Sequence, residues 1–122
     1  MTKKGNDLRT ELLPNLKGGK GTIQVLNVLE PEESHGTGRL FGISIIPVGG
    51  SIGKHTHVGD FETYYILEGQ AKVNDNGTEY DLGPGDMTHC KDGDYHSIEN
   101  IGDCELRYFA CILFSETKKE EA

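Results

Sequence analysis

Hydrophobic positions in this chain fall in short runs that alternate with polar ones and stop at Gly, Asp, Asn or Pro. TIQVLNVL (22–29), RLFGISIIP (39–47), ETYYIL (62–67), QAKVN (70–74), TEYDL (78–82), MTHC (87–90), YHSIE (95–99) and CELRYFACILF (104–114) each read as a strand. Asp75-Asn76-Gly77 is a hairpin signal, because these residues tolerate positive φ. Short strands at regular spacing predict an all-β sandwich or barrel. No run is long enough for a βαβ crossover, which sets aside a parallel α/β sheet. Alternation places Tyr64 and Ile66 on the face of Glu62 and turns Tyr65 away. Phe41, Ile43 and Ile45 share a face expected to line the barrel. CELRYFACILF is apolar on both faces, which calls for a second covering layer or a subunit interface.

Residues 1–21 read as a lead-in. Leu8, Leu12, Leu13 and Leu16 are expected to form one short helical turn or an irregular packed segment, limited by Pro14 and GGKG. GGKG lacks the spacing of a phosphate loop. Residues 22–115 are expected to be the barrel, and 116–122 a charged, frayed tail.

Composition narrows the partners. A length of 122 residues fits one domain. A net charge of −8 with no basic cluster argues against a nucleic-acid partner. No window approaches the ~18 apolar residues of a membrane span. The basic start MTKKGNDLRT lacks a following apolar stretch, so the expected setting is cytoplasmic, with no membrane partner. Three cysteines without a CxxC argue against a disulfide framework. Cys104 and Cys111 read as free thiols packed in strands, while Cys90 stays open because it lies near the candidate site. Asn76-Gly77-Thr78 reads as a turn rather than a glycosylation site.

The chemistry concentrates in GGSIGKHTHVGDFETYYILEG (49–69). On a strand, His55 and His57 face the same way with Cα atoms roughly 6.5 Å apart. Val58-Gly59-Asp60-Phe61 is expected to reverse the chain, so that an antiparallel return brings Glu62 beside them. An HxH pair alone is commonly an accident of packing.

Gly49, five residues, His55-x-His57, four residues, Glu62, six residues and Gly69 resemble the first signature of the cupin superfamily. GDMTHCKDGDYHSIEN (85–100) is similar to the second, through Gly85-Asp86, Gly93, His96 and Asn100. Lys91 stands where the family usually has proline, which bears on the turn before His96. The resemblance implies a double-stranded β-helix, or jelly-roll barrel, in a homodimer. It also implies one divalent metal near the barrel mouth, held by His55, His57, Glu62 and His96. Three imidazoles and a carboxylate suit Mn, Fe, Ni, Co or Zn and are poor for calcium. Four protein ligands on a six-coordinate ion leave two positions for water, oxygen or substrate.

Two classes of function follow. One is a metal-dependent enzyme acting on a small polar molecule: an isomerase, decarboxylase, lyase or dioxygenase, with Tyr64 as the candidate catalytic hydroxyl. The other is a non-catalytic cupin that binds or senses a small ligand. No cluster of Arg and Lys suited to a phosphate is evident. Lys54 and Lys91 flank the motifs as anion attractors or as solvated charges. His35, in SHGTG, is expected in solvent, and His89 in packing or at the surface.

Overall fold

The computed structural model describes residues 1–116. Its ten strands are β1 (Arg9–Pro14), β2 (Thr22–Asn27), β3 (Gly38–Ile46), β4 (Ser51–Thr56), β5 (Asp60–Glu68), β6 (Ala71–Asp75), β7 (Thr78–Leu82), β8 (Met87–Cys90), β9 (Tyr95–Asn100) and β10 (Leu106–Phe114). Three 3-10 turns of three or four residues are the helical elements among the described residues. The strands form two antiparallel sheets, ordered β1-β2-β3-β10-β5-β8 and β4-β9-β6-β7. This is a jelly-roll barrel, as the strand pattern and the paired motifs imply. The tail expected to fray lies, from residue 117 on, outside the described residues.

Apolar residues from both sheets fill the space between them. Ile23, Ile46, Ile66, Val73, Ile98 and Leu106 are fully buried there. Each such aliphatic side chain contributes roughly 1.5–3 kcal/mol by leaving water. β10 alternates without a break: Leu106, Tyr108, Ala110 and Ile112 face the core, while Phe109, Cys111 and Leu113 lie half-buried on the outer face. The doubly apolar run is therefore one core face and one outward face.

Two expectations are corrected. Phe41, Ile43 and Ile45 do not line the barrel. Register pairs Ser44 with the core residue Tyr108, so the inward set on β3 includes Ser44 and Ile46. Phe41 instead packs edge-on against Phe109, 4.9 Å between ring centroids, on the outer face. The short helical turn or irregular segment expected among Leu8, Leu12, Leu13 and Leu16 divides: Leu12 and Leu13 lie in edge strand β1, paired with β2 from Arg9↔Asn27 to Pro14↔Thr22, and Leu16 opens a 3-10 turn. Three apolar residues around Pro14 carried too little period to distinguish the two states.

The N-terminal segment is seated against β4 by two glycines. A Cβ at Gly53 would run into Lys17 O, and one at Gly19 into Ser51 O. Lys20 and Ser51 lock the seam: each donates its backbone N–H to the other, at 3.0 Å to Ser51 Oγ and 2.9 Å to Lys20 O. This backbone-to-backbone approach brings Lys17 to the wall of the barrel two residues before His55.

Candidate metal centre

The four residues singled out in the sequence meet. One donor atom from each of His55, His57, Glu62 and His96 lies within 4.8 Å of every other. The route differs from the expected antiparallel return. β4 pairs with β9, and β5 with β10 and β8, so residues 57–59 carry the chain from one sheet to the other. His55 and His96 are cross-strand partners in the four-stranded sheet. Glu62 projects from the six-stranded sheet, and His57 sits in the crossing. The turn before His96 closes with Lys91 in place of proline: Asp94 N–H donates to Lys91 O at 3.0 Å.

The Nε2 atoms converge. His96 Nε2 lies 2.9 Å from His55 Nε2, 3.1 Å from His57 Nε2 and 3.0 Å from Glu62 Oε1. Glu62 Oε1 is 3.2 Å from His57 Nε2 and 3.8 Å from His55 Nε2. Opposite ring atoms are spoken for. His57 Nδ1–H donates to Asp60 Oδ1 at 2.6 Å, and His55 Nδ1–H to Gly53 O at 2.8 Å. Those tautomers aim lone pairs from both Nε2 atoms at a carboxylate and at each other. Such an arrangement is repulsive until a cation sits among them, and it is how metal-binding imidazoles are usually oriented. The donor set therefore fits a divalent transition metal. His96 Nδ1 is buried with no partner among the described residues.

Electrostatics follow from burial. Desolvation opposes ionisation of Glu62, yet the three imidazoles together hold its carboxyl well below the ordinary range. His57 is raised, first by Glu62 and then by Asp60, against the opposing cost of burial. His96 is lowered by burial, which keeps it neutral. A neutral imidazole is the form a metal takes.

His55, His57 and Glu62 line a cavity of about 300 Å³, with His96 buried behind them. Tyr64 and Tyr108 line it. Tyr64 is buried and stacks on His96, 5.1 Å between centroids and 17° from parallel. Burial, then Glu62, push its phenol well above the usual value, so it stays protonated. Tyr65 is exposed, as alternation required.

Asp60, Arg39 and Lys17 were not marked as site residues by the sequence. Asp60, read only as a turn residue, is 6% exposed and joins His57 to Arg39, whose Nε–H donates to Asp60 Oδ2 at 2.8 Å. The local signal was a carboxylate three residues after the second histidine. Arg39 and Lys17 line the cavity, and no nearby motif marks them; sheet register and the glycine seam bring them in.

The remaining candidates lie elsewhere. Lys54 Nζ sits 4.1 Å above the Tyr95 ring, and Lys91 is exposed. His35 is exposed in a left-handed turn. His89 meets Thr63 Oγ1 at 2.8 Å. Cys90, across from Glu62 on β8, is buried, and burial first pushes its thiol up to about 12; it is not one of the four donors.

Comparison with known proteins agrees with this architecture. Residues 42–112 match the family model of the cupin domain. The oxalate-binding protein of Thermotoga maritima is 37% identical over 113 residues, 93% of each chain. A crystal structure of a predicted oxalate decarboxylase from that organism has a TM-score of 0.88 at 37% identity, covering 93% of this chain and 99% of its own. The polyketide cyclase RemF of Streptomyces resistomycificus shares the fold at 18% identity, with a TM-score of 0.70 over 98% of this chain and 89% of its own.

Proposed function

The chain belongs to the cupin domain family, and we propose that its cup holds one divalent transition metal, through which it binds oxalate or a similarly small carboxylate. The observation that carries this reading is the convergence of three imidazole Nε2 atoms and Glu62, of which His55, His57 and Glu62 line a cavity of about 300 Å³. That volume is at the low end for ligand pockets, which favours a ligand of few heavy atoms. The relative named as an oxalate-binding protein supports the ligand class. His55, His57, Glu62 and His96 would hold Mn, Fe, Ni, Co or Zn. The ion would supply a Lewis-acid centre for carboxylate oxygens. Tyr64, which lines the cup and stays protonated, is the hydroxyl that would donate to a ligand oxygen. The test is titration calorimetry of oxalate into metal-loaded and metal-stripped protein. Binding in the first and none in the second is expected; equal binding in both refutes the reading.

Turnover is a second reading, favoured by the likeness to a predicted oxalate decarboxylase. Loss of carbon dioxide from oxalate leaves a carbon that must take a proton, and Tyr64 is the protonated hydroxyl in the cup. Formate released from oxalate supports catalysis; binding without formate supports a binding or sensing module.

We further propose a homodimer formed through the outer face of the six-stranded sheet. Tyr65 and Met87 are exposed there in register with half-buried Phe109 across three adjacent strands, with exposed Leu67 two residues on from Tyr65. A twofold pairing would make this face its own partner. Phe109→Glu should shift sedimentation from dimer to monomer while metal content holds; a monomeric wild type refutes the dimer.

A further inference from the structure

The cup is lined on one side by metal-type donors and on another by two cations from unrelated parts of the chain. Arg39 comes from β3 and Lys17 from the N-terminal segment. Both are more exposed than the four donors, so they stand toward the mouth. Arg39 uses Nε–H on Asp60 Oδ2. Its Nη groups take no hydrogen-bond partner among the described residues, which leaves most of a planar donor fork uncommitted. Lys17 Nζ likewise takes no salt-bridge partner among them.

Lys17 is also held at a conformational cost. Its φ of 54° and ψ of 32° are left-handed, a region that a lysine has no local reason to adopt. The seam enforces it: Lys17 O fills the place a Cβ on Gly53 would take, and Gly53 O accepts from His55 Nδ1. A strained residue fixed by its surroundings beside a binding cavity is a recurrent mark of a functional position.

Charge balance indicates what the cations are for. Glu11 also lines the cavity; it accepts from Asn27 Nδ2 at 3.0 Å and shares Arg9 with Glu30, which holds that guanidinium at 2.8 Å. Arg39 and Asp60 cancel. Lys17 and the carboxylates Glu11 and Glu62 remain. A divalent ion among the four donors would then make the cup positive, in a chain whose overall charge is −8. An anion answers that excess, and a neutral sugar does not.

We propose that Lys17 and Arg39 form a cationic rim that grips the far carboxylate of a small dicarboxylate whose near oxygens face the four metal-type donors. The N-terminal segment thus supplies a specificity-determining side chain to the site. The inference rests on the carboxylate reading of the preceding subsection.

The test uses metal-loaded full-length protein, with oxalate as dianion and formate as monoanion. Lys17→Asn removes the charge while easing the left-handed backbone, which asparagine tolerates. Arg39→Gln removes the guanidinium. Each variant should bind oxalate at least about tenfold more weakly, the scale of one charged hydrogen bond. Formate affinity should change less than about threefold. Lys17→Asn should keep the wild-type metal content and melt no lower than wild type, which separates a binding role from a structural one. Wild-type oxalate binding that both variants retain within threefold overturns the rim alone. Wild-type protein that holds metal but takes no oxalate overturns the carboxylate reading and the rim with it.

Discussion

Asp60→Asn separates an orienting carboxylate from a merely buried one. Asp60 accepts two charge-assisted hydrogen bonds, 2.6 Å from His57 Nδ1 and 2.8 Å from Arg39 Nε, and is 6% exposed. Asparagine keeps the shape but has one acceptor and one donor. If its oxygen faces His57, its NH₂ meets the Arg39 N–H; if it flips, its NH₂ meets the imidazole N–H. One of the two bonds must therefore fail, and the negative charge that makes His57 a stronger donor to a metal is gone in either case. Losing such a partner typically costs 10–100-fold in metal affinity, about 1.4–2.7 kcal/mol. Chelator competition at fixed pH measures it directly, with Zn and Mn as separate probes. A weakening of about 10–100-fold with a near-native fold is expected. An unchanged metal affinity would refute the reasoning and leave the Arg39–Asp60–His57 chain a purely structural link.

The glycine seam predicts that Gly53→Ala lowers stability by about 1–3 kcal/mol, since its Cβ meets backbone and cannot be accommodated by a side-chain swing; a thermal melt unchanged from wild type would contradict this. In the metal-free protein the His57 pKa is raised, first by Glu62, so the stability from that pairing is complete below about pH 6.5 and is lost as pH climbs through the folded value. Metal binding has the opposite dependence, because it requires neutral imidazoles. The melting-temperature gap between metal-loaded and metal-free protein should widen from about pH 6 to about pH 8, and a flat or narrowing gap would count against the assignment. Cys104 is exposed, whereas burial pushes the Cys90 thiol up to about 12. Iodoacetamide on the folded protein should label Cys104 and spare Cys90, read by peptide mass. His57→Ala and His96→Ala should each lose most of the bound metal; full retention by both would remove the metal centre altogether.

Sequence legibility followed how local each cause is. The hairpin at Asn76-Gly77 was visible because positive φ is written into residue type: Asn76 has φ 50° and Gly77 102°. β7 therefore begins at Thr78, where the pattern put it. The four donors were visible through the resemblance of two motifs to the cupin signatures; strand alternation alone would not have placed His57, which lies in the crossing beyond β4. The phase of β3 was not. Phe41, Ile43 and Ile45 and their even-numbered neighbours are all compatible with strand, and only the cross-strand pairing of Ser44 with Tyr108 decides which set enters the core. Arg39 was missed for the same reason, since nothing around Gly38-Arg39-Leu40 reports that it ends beside Asp60. Lys17 was missed because its placement depends on a glycine 36 positions away, at residue 53.

The division of labour in the cup has a physical consequence. His55 and His96 belong to one sheet, Glu62 to the other, and His57 to the segment crossing between them. An ion bound by all four would tie together two sheets that share no backbone ladder, so metal affinity is also stability of the barrel by linkage. That ties the donors to the fold and leaves them little freedom to vary. Lys17 carries no such burden, because it sits on a surface turn outside the core cluster. Exchanging it changes the charge presented to a ligand without unseating a donor. Arg39 is different: it is half-exposed on β3 but is tied through Asp60 to His57, so its exchange bears on the donors as well as on the rim. The metal site and ligand choice are therefore separable at Lys17 and coupled at Arg39.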